Sequence, residues 1–385
     1  MIPAIVIGTH TMGLGVIRAL GMMNVPIIAI YYKTDDMGYV SKYVQESIHF
    51  PNPENEEDHF VERLIDLAKR FPGSPLIPVS DESLKILSKH KPLLQEYFIV
   101  ACAEWEVIRQ LLEKKYTYPL AASVGVPIPK TIMPVSLDEV SAFAKELEYP
   151  CLVKPVESHS YYALFRKKIV KARDFDQLFT ACKQAEQAGM QVMLQELIPG
   201  ADNQGVNYNS YFWEGESVVE FTAQKLRSAP PELGSPCAAR SKEIPEVLDY
   251  GRKILKAMGF YGYSCTEFKR DPRDGIYKLM EVNGRHNLST LLAVNCGINF
   301  PWLHYRHLVE GIVPQHSAFR EGLFWIDVER DLPYIPYRVF REKENLSQIL
   351  LPYLNPHIAA VFDSGDPKPF FKRYFDFGRK AFKFN

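Results

Sequence analysis

The sequence predicts a mixed α/β and α+β protein, with a parallel α/β unit at the start and strand-rich α+β layers after it. Three observations carry that expectation. Strand-type and helix-type runs alternate from Ile2 to Ala103, the order of a parallel sheet with crossover helices. Strand-type runs dominate from Asn207 to Asn283, with one helix, "IPEVLDYGRKILKAMG", between them. Within that stretch, "YGYSCTEFKRDPRDGIYKLMEVNGRHN" sets two alternating runs on either side of the turn cluster "DPRDG", which reads as a β-hairpin.

Each element follows from its own residues. "IPAIVIG" is a buried-type strand, "THTMGLGVIRALGMM" a turn entering a helix, and "VPIIAIYY" a second strand. Gly8, Gly13 and Gly15 lack the GxGxxG spacing, and two tyrosines and a lysine follow the second strand where a ribose-reading acid would stand. These glycines therefore read as room for a helix to start close to a strand, not as a nicotinamide site. "SPLIPVSDESLKILSKH" repeats the unit, with Ser80 or Asp81 as helix cap, and "YFIVACA" is a short strand. A single helix is expected over "EWEVIRQLLEKKYTYPLAASVG", closed by Gly125. Residues 149 to 189 read as strand, polar loop, strand and helix, and "MQVMLQELIPG" as a further strand. The proline- and aromatic-rich end shows no period.

Composition narrows the class. A chain of 385 residues exceeds one ordinary core and suggests two or three domains. With 45 basic residues against 46 acidic ones, no overall field steers it towards nucleic acid. Six cysteines without CxxC spacing read as reduced core thiols, and no apolar run of about 18 residues occurs, so the expected location is cytoplasmic.

The hairpin poses a chemical question. If Lys269 faces Leu279, Glu267 lies opposite Glu281 and Asn283 shares their face, while Phe268, Met280 and Val282 point into a core. Like charges opposite one another on a sheet repel, and the local sequence offers nothing to neutralise them. Two carboxylates and an amide oxygen form an oxygen-only ligand set suited to Mg2+. Magnesium is usually shared with phosphate, so a nucleotide is the expected partner, with lysines completing its site. Lys154, the one charge in the otherwise apolar strand of "YPCLVKPVE", reads either as a strand-end lysine or as one facing a ligand, and Pro155 argues against an interior strand. Lys114 and Lys115 read by themselves as a solvated helix face.

The order of these elements, "TEFK" before "EVNGR" above all, resembles the ATP-grasp superfamily, over roughly residues 1 to 310. That resemblance implies a Rossmann-like domain over 1–105, an ATP-grasp domain over 106–310 split into 106–195 and 196–310, and a C-terminal extension over 311–385. It implies Glu267, Glu281 and Asn283 as ligands of Mg2+, with Mn2+ as an alternative, and Arg285 as the group steadying the acyl-phosphate or its carboxylate. "LVKP" makes Lys154 a phosphate lysine; the family's spacing selects Lys114 as another, or Lys115 after a one-residue slip. "LQELIPGAD" resembles the adenine-reading linker, with Gln195, Glu196 and Ile198 lining the base and Asp202 the ribose. Lys225 would reach the γ-phosphate of ATP. The loop "ESHSYYALFRKK" departs from the family's glycine-rich flap, leaving Ser158 and Ser160 as candidate phosphate contacts beside the reading of a merely polar loop.

"GLGVIRALG", "VPIPKT" and "FDSGDPKPF" are similar to the carboxylate-amine ligase branch that includes D-aspartate ligases. What this implies is an ATP-dependent ligase forming an amide or peptide bond through an acyl-phosphate. Its substrates would be small carboxylates and amines: amino acids, a peptide or a cell-envelope precursor. Two alternatives stand beside it: a carboxylating or purine-biosynthesis type of ATP-grasp enzyme, and an inactive nucleotide-binding protein. Arg285, His286, Asn287 and Ser289 are candidate substrate walls, with a buried polar network as the other reading of His286 and Asn287. No nucleic-acid partner is expected, and a homodimer is allowed. The tail "KPFFKRYFDFGRKAFKFN" interleaves aromatics with basic residues, either for weak peripheral membrane contact or to pack on the ATP domain.

Overall fold

The structure is a computed structural model describing residues 1–156, 161, 164–165, 169–232 and 234–382, the last seven by backbone alone. Its first sheet is parallel and five-stranded, ordered β3-β2-β1-β4-β5. The strands are β1 (Ala4–Ile7), β2 (Ile27–Tyr31), β3 (Val44–His49), β4 (Pro75–Pro78) and β5 (Ile99–Val100). Crossover helices Thr11–Gly21 and Asp81–Lys89 match the predicted alternation, and Ser80 caps the second through Ser83 N. The reading passed over β3 and the helix Glu57–Ala68, although Phe60, Leu64, Leu67 and Ala68 bury one face of that helix at the expected helical spacing. Gly13 matters for close approach: a Cβ there would stand 2.2 Å from the Gly8 carbonyl oxygen.

Two further sheets follow. The smaller is ordered β6-β9-β7-β8: β6 (Thr131–Ile132), β7 (Cys151–Pro155), β8 (Val170–Ala172) and β9 (Val192–Glu196). The larger is ordered β14-β13-β10-β11-β12-β15-β16. It comprises β10 (Gly205–Trp213), β11 (Glu216–Ala229), β12 (Ser235–Ser241), β13 (Gly262–Arg270), β14 (Tyr277–Asn283), β15 (Phe324–Ile326) and β16 (His357–Ala359). Pairing is antiparallel in both except between β15 and β16.

Two expectations are corrected here. The strand β7 is interior, bonded to β8 and β9; Pro155 is tolerated because β8 pairs only with Cys151–Val153, leaving the proline at the strand's free end. The helix expected over 104–125 is two, Trp105–Leu112 and Lys114–Ser123, because Glu113 adopts extended backbone between them.

The chain end is woven back through the molecule. The strands β15 and β16 extend the large sheet, and the buried Asp331 carboxylate receives the Arg227 guanidinium at 2.6 Å. Buried Asp366 is bonded by Arg18 of the first helix and by Ser41, fastening the C-terminal segment to the N-terminal unit. The helix Lys368–Phe382 buries part of Phe370 against Phe362, while Phe371 stays 64% exposed. All six cysteines are buried and unpaired. Among the described residues no helix is long and apolar enough to cross a membrane.

Candidate functional site

A cleft of about 500 Å³ opens between the two later sheets. Its polar end is the hairpin β13–β14, where Glu267 lies opposite Glu281 as expected. The register around that pair is corrected by a bulge: Phe268 faces Leu279, Lys269 faces Lys278, and Met280 is the extra residue. Met280, expected in the core, is therefore half-buried and lines the cleft.

The repulsion between the glutamates is relieved by residues remote in sequence. Lys225 Nζ lies 2.9 Å from Glu267, and Lys114 Nζ lies 3.5 Å from Glu281. Glu281 raises the Lys114 ammonium above its ordinary range; for Lys225, burial pulls downward but Glu267 outweighs it. The break at Glu113 matters here: Lys114 begins a new helix and reaches the cleft, whereas Lys115 pairs with Glu113 at 2.7 Å.

Lys154 projects from β7 into the same space and donates to Gln195 Oε1 at 2.5 Å. Burial, and after it the nearby Lys114 charge, push its ammonium down to about 7. Gln195 itself is fully buried, does not line the cleft and also donates to Thr131 Oγ1, so its side chain holds Lys154 from behind. Leu152, Ile169, Glu196 and Ile198 form the cleft's more apolar end. The Glu196 carboxylate is held by Lys130 N and Arg273. Asp202 lines the cleft with its carboxylate already bonded by Ser228 N and by Arg338 of the C-terminal extension. Arg285 lines the far end and forms a two-pronged pair with Asp81, at 2.6 and 3.1 Å. Ser158 and Ser160 lie outside the described residues.

The residues fit a hard divalent cation with phosphate. Glu267, Glu281 and Asn283 stand at one end of the cleft, and buried Asn207, directly opposite Glu267 on β10, has an Oδ1 without a hydrogen-bond partner. Among the described residues no three carboxylate, imidazole or thiol groups gather as a cation site, so the set is two carboxylates with amide oxygens. Sequence reasoning missed Asn207, Lys269 and Arg330. Asn207 and Asn209 alternate in "VNYNSYF", a signal that a polar face was present. Lys269 bonds Ile198 O and Gly200 O, tying the linker to the hairpin. Arg330 lies too far along the chain for local spacing to reveal it. Of the candidate substrate walls, Asn287 is held in a buried network with Asn209 and Cys265.

No protein-family profile matches the chain. Solved ATP-grasp enzymes share its architecture. A biotin carboxylase from Campylobacter jejuni aligns with a TM-score of 0.65 at 16% identity, covering 83% of this chain and 74% of that one. An L-amino acid ligase from Bacillus licheniformis aligns at 0.63 and 16%, covering 80% and 74%. The fold is thus the ATP-grasp fold with a Rossmann-like unit before it. In sequence the chain is similar to carboxylate-amine ligases. It is 28% identical to a D-aspartate ligase of Enterococcus faecium over 262 residues, which is 62% of this chain and 61% of that protein.

Proposed function

We propose that this protein is an ATP-dependent carboxylate-amine ligase that activates a carboxylate as its acyl-phosphate and releases ADP and phosphate. One observation carries the reading: the opposed Glu267 and Glu281 share a cleft with Lys114, Lys154, Lys225 and Arg285, and among the described residues that line it there is no cysteine or histidine. Such a site neutralises and positions charge, as phosphoryl transfer requires.

The roles follow from position. Glu196, Leu197 and Ile198 border the apolar end for adenine, where a ribose hydroxyl would share Asp202 with Arg338. Lys114 and Lys154 bind phosphate oxygens, Gln195 holding Lys154 in place. Glu267, Glu281 and Asn283, with Asn207 beside them, hold Mg2+, which supplies charge neutralisation at the phosphates. Lys225, released from Glu267, meets the γ-phosphate. Arg285 orients the substrate carboxylate so that one oxygen attacks the γ-phosphorus and ADP departs. The amine then displaces phosphate from the acyl carbon. Free amino acids are the substrate class, supported by the sequence similarity to D-aspartate ligase. Hydroxylamine offered in place of the amine should yield a hydroxamate together with ADP; AMP and pyrophosphate as products would overturn the reading.

A further inference from the structure

Behind Arg285 lies a second chamber, of about 260 Å³, and Arg285 is a wall of both spaces. Its floor continues the face of the large sheet that carries Glu267: on β13, Cys265 and Tyr263 alternate onward from Glu267, and Tyr211 faces Tyr263 from β10. The ends of β4 and β5 and the helix Phe300–Glu310 form the roof.

The walls are aromatic and close to neutral. His286 stacks on Tyr263 with ring centres 4.1 Å apart, and His307 meets Trp213 edge-on at 4.2 Å. Burial lowers the pKa of both His286 and His304, so neither carries charge at neutral pH. Lys91, the other cation at this wall, has partners for all three of its donors: Glu104 at 2.7 Å, Cys102 O at 2.8 Å and Tyr261 Oη. A carboxylate entering the chamber beyond Arg285 would thus displace an existing bond or go unpaired, a costly outcome away from water. The imidazole of His286, 2% exposed, adds no open polar contact, because its Nδ1 is sealed within the wall without a hydrogen-bond partner.

We propose that this chamber seats the side chain of the carboxylate substrate, and that the side chain is aromatic or otherwise large and apolar. This rests on the ligase reading above. The substrate carboxylate would exchange with Asp81 on the Arg285 guanidinium and so stand between chamber and cleft. An acidic side chain, as aspartate carries, suits the chamber poorly.

The test offers MgATP, hydroxylamine and single amino acids to the full chain and reads phosphate release, with phenylalanine binding followed separately by calorimetry. Phenylalanine, tyrosine or tryptophan should give a kcat/KM at least about tenfold above aspartate and alanine. Leu308→Trp, which fills the chamber from its roof, should abolish turnover and binding of phenylalanine. Trp213→Ala, at a half-exposed wall position, should raise the KM for phenylalanine about tenfold without affecting that for ATP. Phosphate release with aspartate or alanine and none with aromatic amino acids overturns the proposal and leaves the ligase reading standing. Should no amino acid release phosphate, the ligase reading falls. Calorimetry then decides the chamber: phenylalanine binding lost in Leu308→Trp supports an aromatic carboxylate site, and no binding to the unaltered protein overturns it.

Discussion

Glu281 and Lys114 stand 3.5 Å apart with both side chains about two-fifths exposed, so water screens their attraction and the pair contributes below about 1 kcal/mol to the fold. Sequence alone suggested that removing one glutamate would relieve an unopposed repulsion. With Lys114 and Lys225 in place, Glu281→Gln should instead leave the melting temperature within a few degrees, while phosphate release falls by about 10²–10³-fold. Activity within threefold of the unaltered protein would remove Glu281 from the metal site. Lys154 offers a separate prediction, because its ammonium is held down to about 7 by burial and by Lys114. Nucleotide phosphates favour the charged form, so ATP binding takes up a proton once the free lysine has begun to lose its own. Affinity should then weaken as pH rises above 7, by up to about tenfold per pH unit. Lys154→Ala should raise the KM for ATP and flatten that pH dependence; a KM equal to that of the unaltered protein would make the lysine structural. Among these residues, the opposition of Glu267 and Glu281 was legible because one hairpin carries both. Their lysine partners were not, since the pairings span 42 residues in one case and join separate elements in the other.

At the scale of elements, alternation and turn chemistry revealed most strands, and small local irregularities stayed hidden. The Met280 bulge changes the register by one residue, which period-two counting does not detect. The extended backbone at Glu113 divides a run that is helical in composition throughout, and this division turns Lys114 towards the cleft. The C-terminal strands β15 and β16 are three residues each, too short to show a period. Tertiary contacts fasten them. Arg227 and Asp331 form a buried pair to which Tyr353 also donates, at 2.7 Å. Asp331→Ala would strand the Arg227 charge away from water and is expected to lower stability by about 3–5 kcal/mol, read from denaturant unfolding. A loss below 1 kcal/mol would mean that the extension is not integral to the large sheet.

Across the whole molecule, the cleft is bounded by two sheets that a short linker joins, and Lys269 ties that linker to the hairpin that carries Glu267 and Glu281. The N-terminal unit reaches the same cleft through the Asp81–Arg285 pair, while the chain end touches both the first helix and Asp202 of the cleft through Asp366 and Arg338. A nucleotide that bridges these parts should stabilise them together. At 100 times its Kd, MgATP should add about 2.7 kcal/mol to unfolding, and ATP with a chelator should add distinctly less. Equal stabilisation with and without the metal would argue against the Glu267, Glu281 and Asn283 set. The central claim is that the substrate carboxylate attacks the γ-phosphorus, with Arg285 orienting it. Its most direct test is isotopic: with an amino acid labelled with 18O in its carboxylate, one labelled oxygen should appear in inorganic phosphate for each bond formed. Label appearing in AMP, with pyrophosphate released and none in inorganic phosphate, would contradict the account.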